Sequence, residues 1–175
     1  MRKGRAVLLT LDVTTEDDVS LALTEAEVES ICEMVLAEEG VDRPCFLSLS
    51  VVSDATMREH NLSWRGVDAA TDVISLECER PDDPDLAEGE PCELGDIFLA
   101  PDYLARQARG FGTTEADETR LMLIHGMLHL LGYDHLEEDE ALVMEGREDE
   151  LLALVSTDAT LGNVTLTRHR EGDDA

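Results

Sequence analysis

The sequence of 175 residues has few aromatic residues, few basic residues and no long hydrophobic run. Aromatic residues make up 3% of the chain, so the core has to be built mainly from Leu, Val, Ile, Ala and Met. No apolar stretch approaches the roughly 20 residues of a membrane-crossing helix. The short apolar run near the N-terminus is interrupted at Asp12 and no cleavage pattern follows, which argues against a signal peptide. We therefore expect a soluble, cytoplasmic protein with no membrane partner.

Paired cysteine motifs are also missing. The four cysteines, Cys32, Cys45, Cys78 and Cys92, lie far apart in the chain and form no C-x-x-C pair. Scattered thiols of this kind are typical of reduced cytosolic proteins. We expect these cysteines to be structural.

Positive charge is scarce as well. The chain has 13 Lys and Arg residues against 41 Asp and Glu residues, which gives a formal net charge of -28, and Lys3 is its only lysine. A surface of this kind repels nucleic acid at long range and opposes association between copies of the chain. We interpret the charge as a solubility feature, and a halophilic source is a hypothesis that follows from it.

The hydrophobic pattern predicts one α+β domain over residues 1–155, followed by a weakly patterned tail over residues 156–175. We expect a small mixed sheet of about four strands packed with about five helices, without internal repeats. The third and fourth strands are expected to pair antiparallel, and the polar segment 79–93 is expected to be a surface loop. The predicted strands are 6–13, 46–52, 72–76 and 96–100. The predicted helices are 24–40, 54–62 (capped by Asp54), 101–110 or 101–112, 114–130 and 137–155.

Three histidines near the end of the fourth predicted helix form a candidate metal site. His125 and His129 are four residues apart, so they share one helix face. Gly132 can end the helix in a left-handed conformation and return His135 to the same ion. Three imidazoles leave one position of a tetrahedral zinc ion open for water, as in catalytic sites. The spacing therefore predicts one Zn²⁺ ion and a hydrolase. His60 and His169 have no candidate ligands near them in the sequence, so we do not expect them to bind metal.

The same spacing is that of the metzincin peptidases, whose motif is HExxHxxGxxH. Here Gly126 stands where those enzymes have the glutamate that acts as general base. A zinc peptidase or amidase is therefore the second interpretation and the weaker one. Four acids beside the histidines could replace the missing base, although acids at a helix start usually act as favourable caps. They are Asp134, Glu137, Glu138 and Asp139.

Three stretches of the chain, in order, resemble one family. They are the metal motif HGMLHLLGYDH (125–135), the pair NLSWRG (61–66) and TDVIS (71–75), and the run LGDIFLAPDYLARQA (94–108). Together they closely resemble the signatures of the YbeY endoribonucleases, and the match in order and spacing runs from about residue 51 to residue 150. The chain departs from the family pattern at three positions: Trp64 replaces a tyrosine, Leu76 replaces a phenylalanine and Leu121 stands where a histidine is common. Lysines common in the family are also missing from the loop 67–70.

The resemblance implies a zinc-dependent endoribonuclease specific for single-stranded RNA. It implies roles in 3′-end processing of 16S rRNA and in ribosome maturation and quality control, with ribosomal proteins or an assembly GTPase as further partners. It also implies that His125, His129 and His135 bind the zinc and that Arg65 is functionally important. A third interpretation is a non-catalytic ribosome-assembly factor with a structural metal, and a fourth protein ligand would favour that reading.

Arg65 also has a physical interpretation of its own. A guanidinium is always charged, and its planar fork fits two phosphate oxygens at once. Near a zinc-bound hydroxide it would hold the scissile phosphate and stabilise developing charge. Because charges are screened over about 10 Å in salt, a local positive patch at the metal and Arg65 could operate inside an acidic exterior. We therefore expect a groove beside the metal that is less negative than the rest of the surface.

Overall fold

Residues 8–155 are described by the structure, which is a computed structural model. They form a four-stranded mixed sheet and five helices, which confirms the predicted α+β architecture. The predicted tail 156–175 and the first two residues of the predicted first strand lie outside the described residues. The elements in chain order are β1 (Leu9–Thr15), α1 (Glu25–Glu38), β2 (Cys45–Val51), α2 (Asp54–Arg65), β3 (Val73–Glu77), β4 (Cys92–Leu99), α3 (Pro101–Phe111), α4 (Glu115–Leu130) and α5 (Glu138–Val155).

The sheet has the strand order β1-β2-β4-β3. Strands β1, β2 and β4 run parallel, whereas β3 pairs antiparallel with β4, as predicted. Alternate residues of β2 are buried, which places Leu47 and Leu49 in the core. One edge of the sheet is therefore the β3 strand, beside which the metal motif lies.

Helix α4 lies at the centre of the fold. It packs on β3 and β4 and against α1, α3 and α5. The Thr114 side chain caps its start by accepting a hydrogen bond from the Asp117 backbone N–H at 3.1 Å. Leu121, Leu123 and Met127 are fully buried, as expected for a helix that is surrounded on several sides. The central helix thus holds the metal motif on a rigid element.

Helix α2 differs from its prediction at both ends. Ser53, not Asp54, is the N-cap, because its hydroxyl accepts the Thr56 backbone N–H at 3.2 Å. The helix continues through Arg65, three residues past the predicted end, and stops at Gly66, whose φ of 72° is left-handed. Arg65 therefore lies in the last turn of a helix and not in a polar loop.

Strands β1 and β4 also differ from their predicted bounds. Strand β4 begins at Cys92, four residues early, because Cys92 donates a backbone hydrogen bond to Pro44 and pairs with Cys45 of β2. A register shift between Phe46 and Leu47 breaks the period-two pattern of this segment. Strand β1 extends to Thr15 as the partner of β2. None of the helices within residues 8–155 combines the length and apolar character needed to cross a membrane.

Candidate metal centre and groove

The three histidines meet where α4 ends. His125 and His129 lie on one face of its last turns, and the chain reverses at Gly132, whose φ is 102°. The Gly132 N–H donates to the His129 carbonyl and the Tyr133 N–H donates to the Leu128 carbonyl, each at 3.0 Å. These two bonds are the Schellman pattern of a helix that stops at a glycine. The reversal returns His135 to the other two histidines, as predicted.

The donor atoms of these imidazoles fit a single metal ion. One ring nitrogen from each histidine lies within 4.8 Å of the others. The Nε2 atoms of His125 and His129 are 3.1 Å apart, close to the separation of about 3.4 Å between two nitrogens on one tetrahedral zinc ion. Burial, together with the neighbouring His125 and His135, lowers the pKa of His129 to about 3. The His129 ring is therefore neutral at pH 7, as a metal ligand must be.

Glu148 of α5 orients His125, a role that was not predicted from the sequence. Its Oε1 lies 2.5 Å from Nδ1 of His125, and its side chain is only 1% exposed. A carboxylate on one ring nitrogen fixes the tautomer and turns the other nitrogen toward the metal. The sequence does contain a signal for this role, which is an acid on the apolar face of a helix. Glu148 lies one turn after the buried Met144 and one turn before the buried Leu152.

Gly126 faces the sheet and not the metal. A Cβ at this position would lie 3.0 Å from Ser75 Oγ and 3.3 Å from Ile97 Cδ1. The Ser75 hydroxyl also donates to the Gly126 carbonyl at 3.4 Å. A glutamate here would have no room against β3 and β4. The close helix–sheet contact is thus the physical reason for the glycine at the position where peptidases of this spacing have their base.

The ligand set among residues 8–155 contains three protein groups. The cluster of histidine, cysteine and acidic side chains able to share one ion consists of His125, His129 and His135. The acids proposed as substitutes for a base, such as Asp134 and Glu138, are not part of it. Three ligands leave a coordination position for water or substrate, which is the arrangement of catalytic metal sites.

A groove of about 900 Å³ opens beside the histidines. Its walls come from the end of α2, the segment 67–77, α4 and α5. Arg65 lines it together with all three histidines, and it is the one Arg or Lys among the described lining residues. Arg65 makes no ion pair or side-chain hydrogen bond within residues 8–155, whereas three other arginines of the chain are held in ion pairs. Those three are Arg58, Arg106 and Arg120.

The lining of the groove also contains six acidic residues: Asp72, Glu77, Glu118, Asp134, Glu145 and Glu148. Glu77 pairs with Arg80 at 2.8 Å. Glu118 is fully buried, accepts hydrogen bonds from Gln107 and Thr113, and has a pKa raised mainly by desolvation. Acids therefore outnumber the single arginine of the lining, Arg65, and the expectation of a less negative groove stays a prediction.

Comparison with known proteins agrees with this arrangement. The model of the family described as Endoribonuclease YbeY matches residues 11–156. The chain belongs to the YbeY endoribonuclease family. A YbeY endoribonuclease of Exiguobacterium is 37% identical over 145 residues, covering 80% of this chain and 92% of the relative. One of Mycobacterium tuberculosis is 37% identical over 147 residues, covering 82% of both chains.

The YbeY fold is also found among solved structures. The solution structure of TM1509 from Thermotoga maritima matches with a TM-score of 0.57 and 24% identity, and the match covers 95% of this chain and 97% of that one. In this YbeY chain the three resembling stretches converge on the groove. Residues 61–66 and 71–75 form the end of α2 and most of β3, residues 94–108 form much of β4 and α3, and residues 125–135 form the end of α4 and the metal turn.

Proposed function

We propose that this chain is a zinc-dependent endoribonuclease that cleaves single-stranded RNA. The observation that carries the proposal is the shared groove, in which three histidines with an open coordination position face the same space as the unpaired Arg65. Family membership supports RNA as the substrate class. Imidazole ligands also suit other transition metals, so zinc is part of the proposal.

The three histidines, Glu148 and Arg65 have different roles in the proposed reaction. His125, His129 and His135 would hold the zinc ion, which would supply Lewis-acid chemistry and the activation of water. Glu148 accepts a hydrogen bond from the Nδ1–H of His125, which leaves Nε2 free to bind the metal. Arg65 donates to the non-bridging oxygens of the scissile phosphate and stabilises the charge that develops there.

The alternative functions lack supporting groups. A peptidase of this ligand spacing needs a carboxylate at position 126, where the packing of Gly126 on Ser75 and Ile97 leaves no room for one. A purely structural metal is expected to have a fourth protein ligand, and the described cluster has three. Both observations favour the nuclease.

The proposal extends to the RNA that the chain cleaves in the cell. We infer that the RNA is small-subunit rRNA near the 3′ end of 16S rRNA, that ribosomal proteins or an assembly GTPase are partners, and that the chain works in the cytoplasm. The support is the three-part motif resemblance to the family. Accumulation of 3′-extended 16S precursor in cells lacking the chain tests it, and normal 3′ ends in such cells would contradict it.

The cleavage assay compares purified wild-type protein with His129→Ala and Arg65→Ala on a labelled single-stranded RNA. We expect His129→Ala to lose zinc and activity. Arg65→Ala should retain stoichiometric zinc and lose about 100-fold in rate, as for removal of one transition-state donor.

Arg58→Ala is the matched control, because Arg58 lies on the same helix, pairs with Asp68 and does not line the groove. It should cleave at the wild-type rate. Undiminished cleavage by the metal-free His129→Ala protein would assign the activity to a contaminating nuclease, whereas a zinc-loaded wild-type protein that does not cleave RNA would overturn the proposal.

A further inference from the structure

An exposed indole stands at the end of α2. Trp64 is the only tryptophan of the chain, and it is 43% exposed although it is the largest apolar side chain available to the core. Its ring stacks on His60 with 4.5 Å between centroids and 4° between planes. Phe98 lies against both rings, 5.2 Å from the indole and 4.8 Å from the imidazole. We name Trp64, His60 and Phe98 the aromatic cluster.

The cluster fixes the indole without burying it. Trp64 and His60 are one turn apart on α2, and Phe98 belongs to β4, so two elements of the fold hold the ring. The small core beneath consists of Val52, Met57, Ile74 and Ala100, with Phe98 but not Trp64 packed against it. A ring that only filled space would be covered further by this core. Trp64 instead presents a preorganised aromatic surface.

That surface belongs to the groove of the metal site. Trp64 and Arg65 both line it, together with His125 and His129. An aromatic ring beside a guanidinium offers the two contacts that recognise one nucleotide, a stack for the base and a fork for the phosphate. Both contacts come from adjacent residues on one helix. The N-terminus of this helix is held in place by Glu16, whose carboxylate accepts hydrogen bonds from Ser53 and Thr56.

The charge of the molecule makes a stacking contact especially useful. Proteins that bind single strands usually combine a basic groove with aromatic stacking. This chain has a net charge of -28, and its groove has a single Arg among the described lining residues. Phosphate contacts can therefore supply little of the affinity. Base stacking needs no charge on the protein, and it tolerates any RNA sequence because every base has a π face.

We propose that Trp64 is a base-stacking platform that holds one nucleobase of a single-stranded RNA beside the phosphate contacted by Arg65. The platform sets where the strand rests relative to the three histidines. This inference rests on the proposed nuclease function, since it specifies how that site positions its substrate.

Intrinsic fluorescence tests the platform directly, because the chain has one tryptophan. Zinc-loaded full-length protein is mixed with a short single-stranded RNA in a stopped-flow fluorimeter, so that binding is recorded before the RNA is cleaved. We expect quenching of the Trp64 emission and protection of Trp64 from acrylamide. Emission and acrylamide access that do not change at RNA concentrations saturating an anisotropy signal would overturn the proposal.

Variants measure the contribution of the ring. With labelled RNA, Trp64→Leu should bind about tenfold more weakly, which lies within the range for loss of one base–aromatic stack. Trp64→Phe should recover most of the affinity, because it keeps an aromatic face. Phe46→Leu is the matched control, since Phe46 is 42% exposed and lies outside the groove. Equal affinity of wild type and a folded Trp64→Leu would contradict the platform.

An abasic scan separates stacking from general packing. RNAs with one abasic nucleotide at successive positions around the mapped cut are compared in wild type and Trp64→Leu. At one position the missing base should weaken wild-type binding and abolish the difference between the two proteins. A constant difference at all positions would show that Trp64 acts only on the protein's own structure.

The failure of this inference is distinguishable from failure of the proposed function. Metal-dependent cleavage with an unresponsive Trp64 would leave the nuclease standing and remove the platform. A responsive Trp64 in a protein that does not cleave RNA would keep the platform and remove the nuclease.

Discussion

At the scale of single residues, the site depends on a buried carboxylate that binds no metal. Glu148 contacts Nδ1 of His125 while Nε2 of the same ring points to His129. Without Glu148 the His125 ring could rotate or protonate at the wrong nitrogen. The helix α5 thus takes part in the metal site through one side chain, although all three ligands belong to α4 and its turn.

Glu148→Ala should weaken zinc binding by about 10- to 100-fold, the range found when such an orienting partner of a ligand histidine is removed. Glu148→Gln should lose less, because its amide oxygen can still accept a hydrogen bond from the Nδ1–H of His125. The measurement is a zinc competition titration with a chromophoric chelator at pH 7.5.

Glu140→Ala, an exposed acid in the first turn of the same helix, controls for the loss of one negative charge. Circular dichroism of the metal-free proteins verifies that each variant is folded. Wild-type zinc affinity in a folded Glu148→Ala would show that the carboxylate does not support the ligand.

The residues of the site were predictable only where they are neighbours in the chain. The three histidines fall within eleven positions, and helix periodicity with one glycine brings them together. Glu148 lies 23 positions after His125, so its contact depends on the packing of α5 on α4. The position of Arg65 facing the histidines likewise depends on how α2 meets the sheet, and its catalytic role stays a prediction.

At the scale of elements, the decisive contact is α4 on the sheet. Gly126 lets the helix approach β3 and β4 so closely that the Ser75 hydroxyl donates to its carbonyl and an added Cβ would meet both Ser75 and Ile97. The same approach brings β3, which lines the groove, beside His125. The distance between helix and sheet therefore sets the width of the groove.

Gly126→Ala should lower the free energy of unfolding by about 1–3 kcal/mol, because the added methyl group overpacks a filled contact. Gly146→Ala is the matched variant, since Gly146 is a helical glycine of α5 whose added Cβ would meet no atom within 4 Å. It should raise the stability by about 0.5–1 kcal/mol. Urea unfolding of the metal-free proteins measures both, and a stabilising Gly126→Ala would show that the contact is loose.

Element order was predictable, but element ends and sheet order were not. Periodicity gave the four strands and five helices because it reports local burial. The end of α2 was set three residues short because Ser63, Trp64 and Arg65 are exposed and polar or amphipathic, so no apolar period marks them. The early start of β4 depends on pairing with β2 across a register shift, which a single segment does not reveal.

At the scale of the whole molecule, charge is the dominant property. The 41 acids outnumber the 13 basic residues by 28, and ion pairs such as Arg120 with Glu27 and Arg58 with Asp68 use several of the available cations. Self-repulsion of the remaining acids opposes the compact state. The fold is therefore expected to depend on screening by salt.

The free energy of unfolding should rise between 0.05 M and 1 M NaCl, because the screening length falls from above 10 Å at 0.05 M to about 3 Å at 1 M. Each gain of about 1 kcal/mol should raise the Tm by roughly 2–4 °C for a chain of this size. Sucrose at matched osmolality is the control, since it is excluded from protein surfaces without screening charge. Most of the gain should come at the lower salt concentrations, where the screening length changes most. Equal stability and equal RNA cleavage from low to molar salt would remove both the repulsion argument and the halophilic hypothesis.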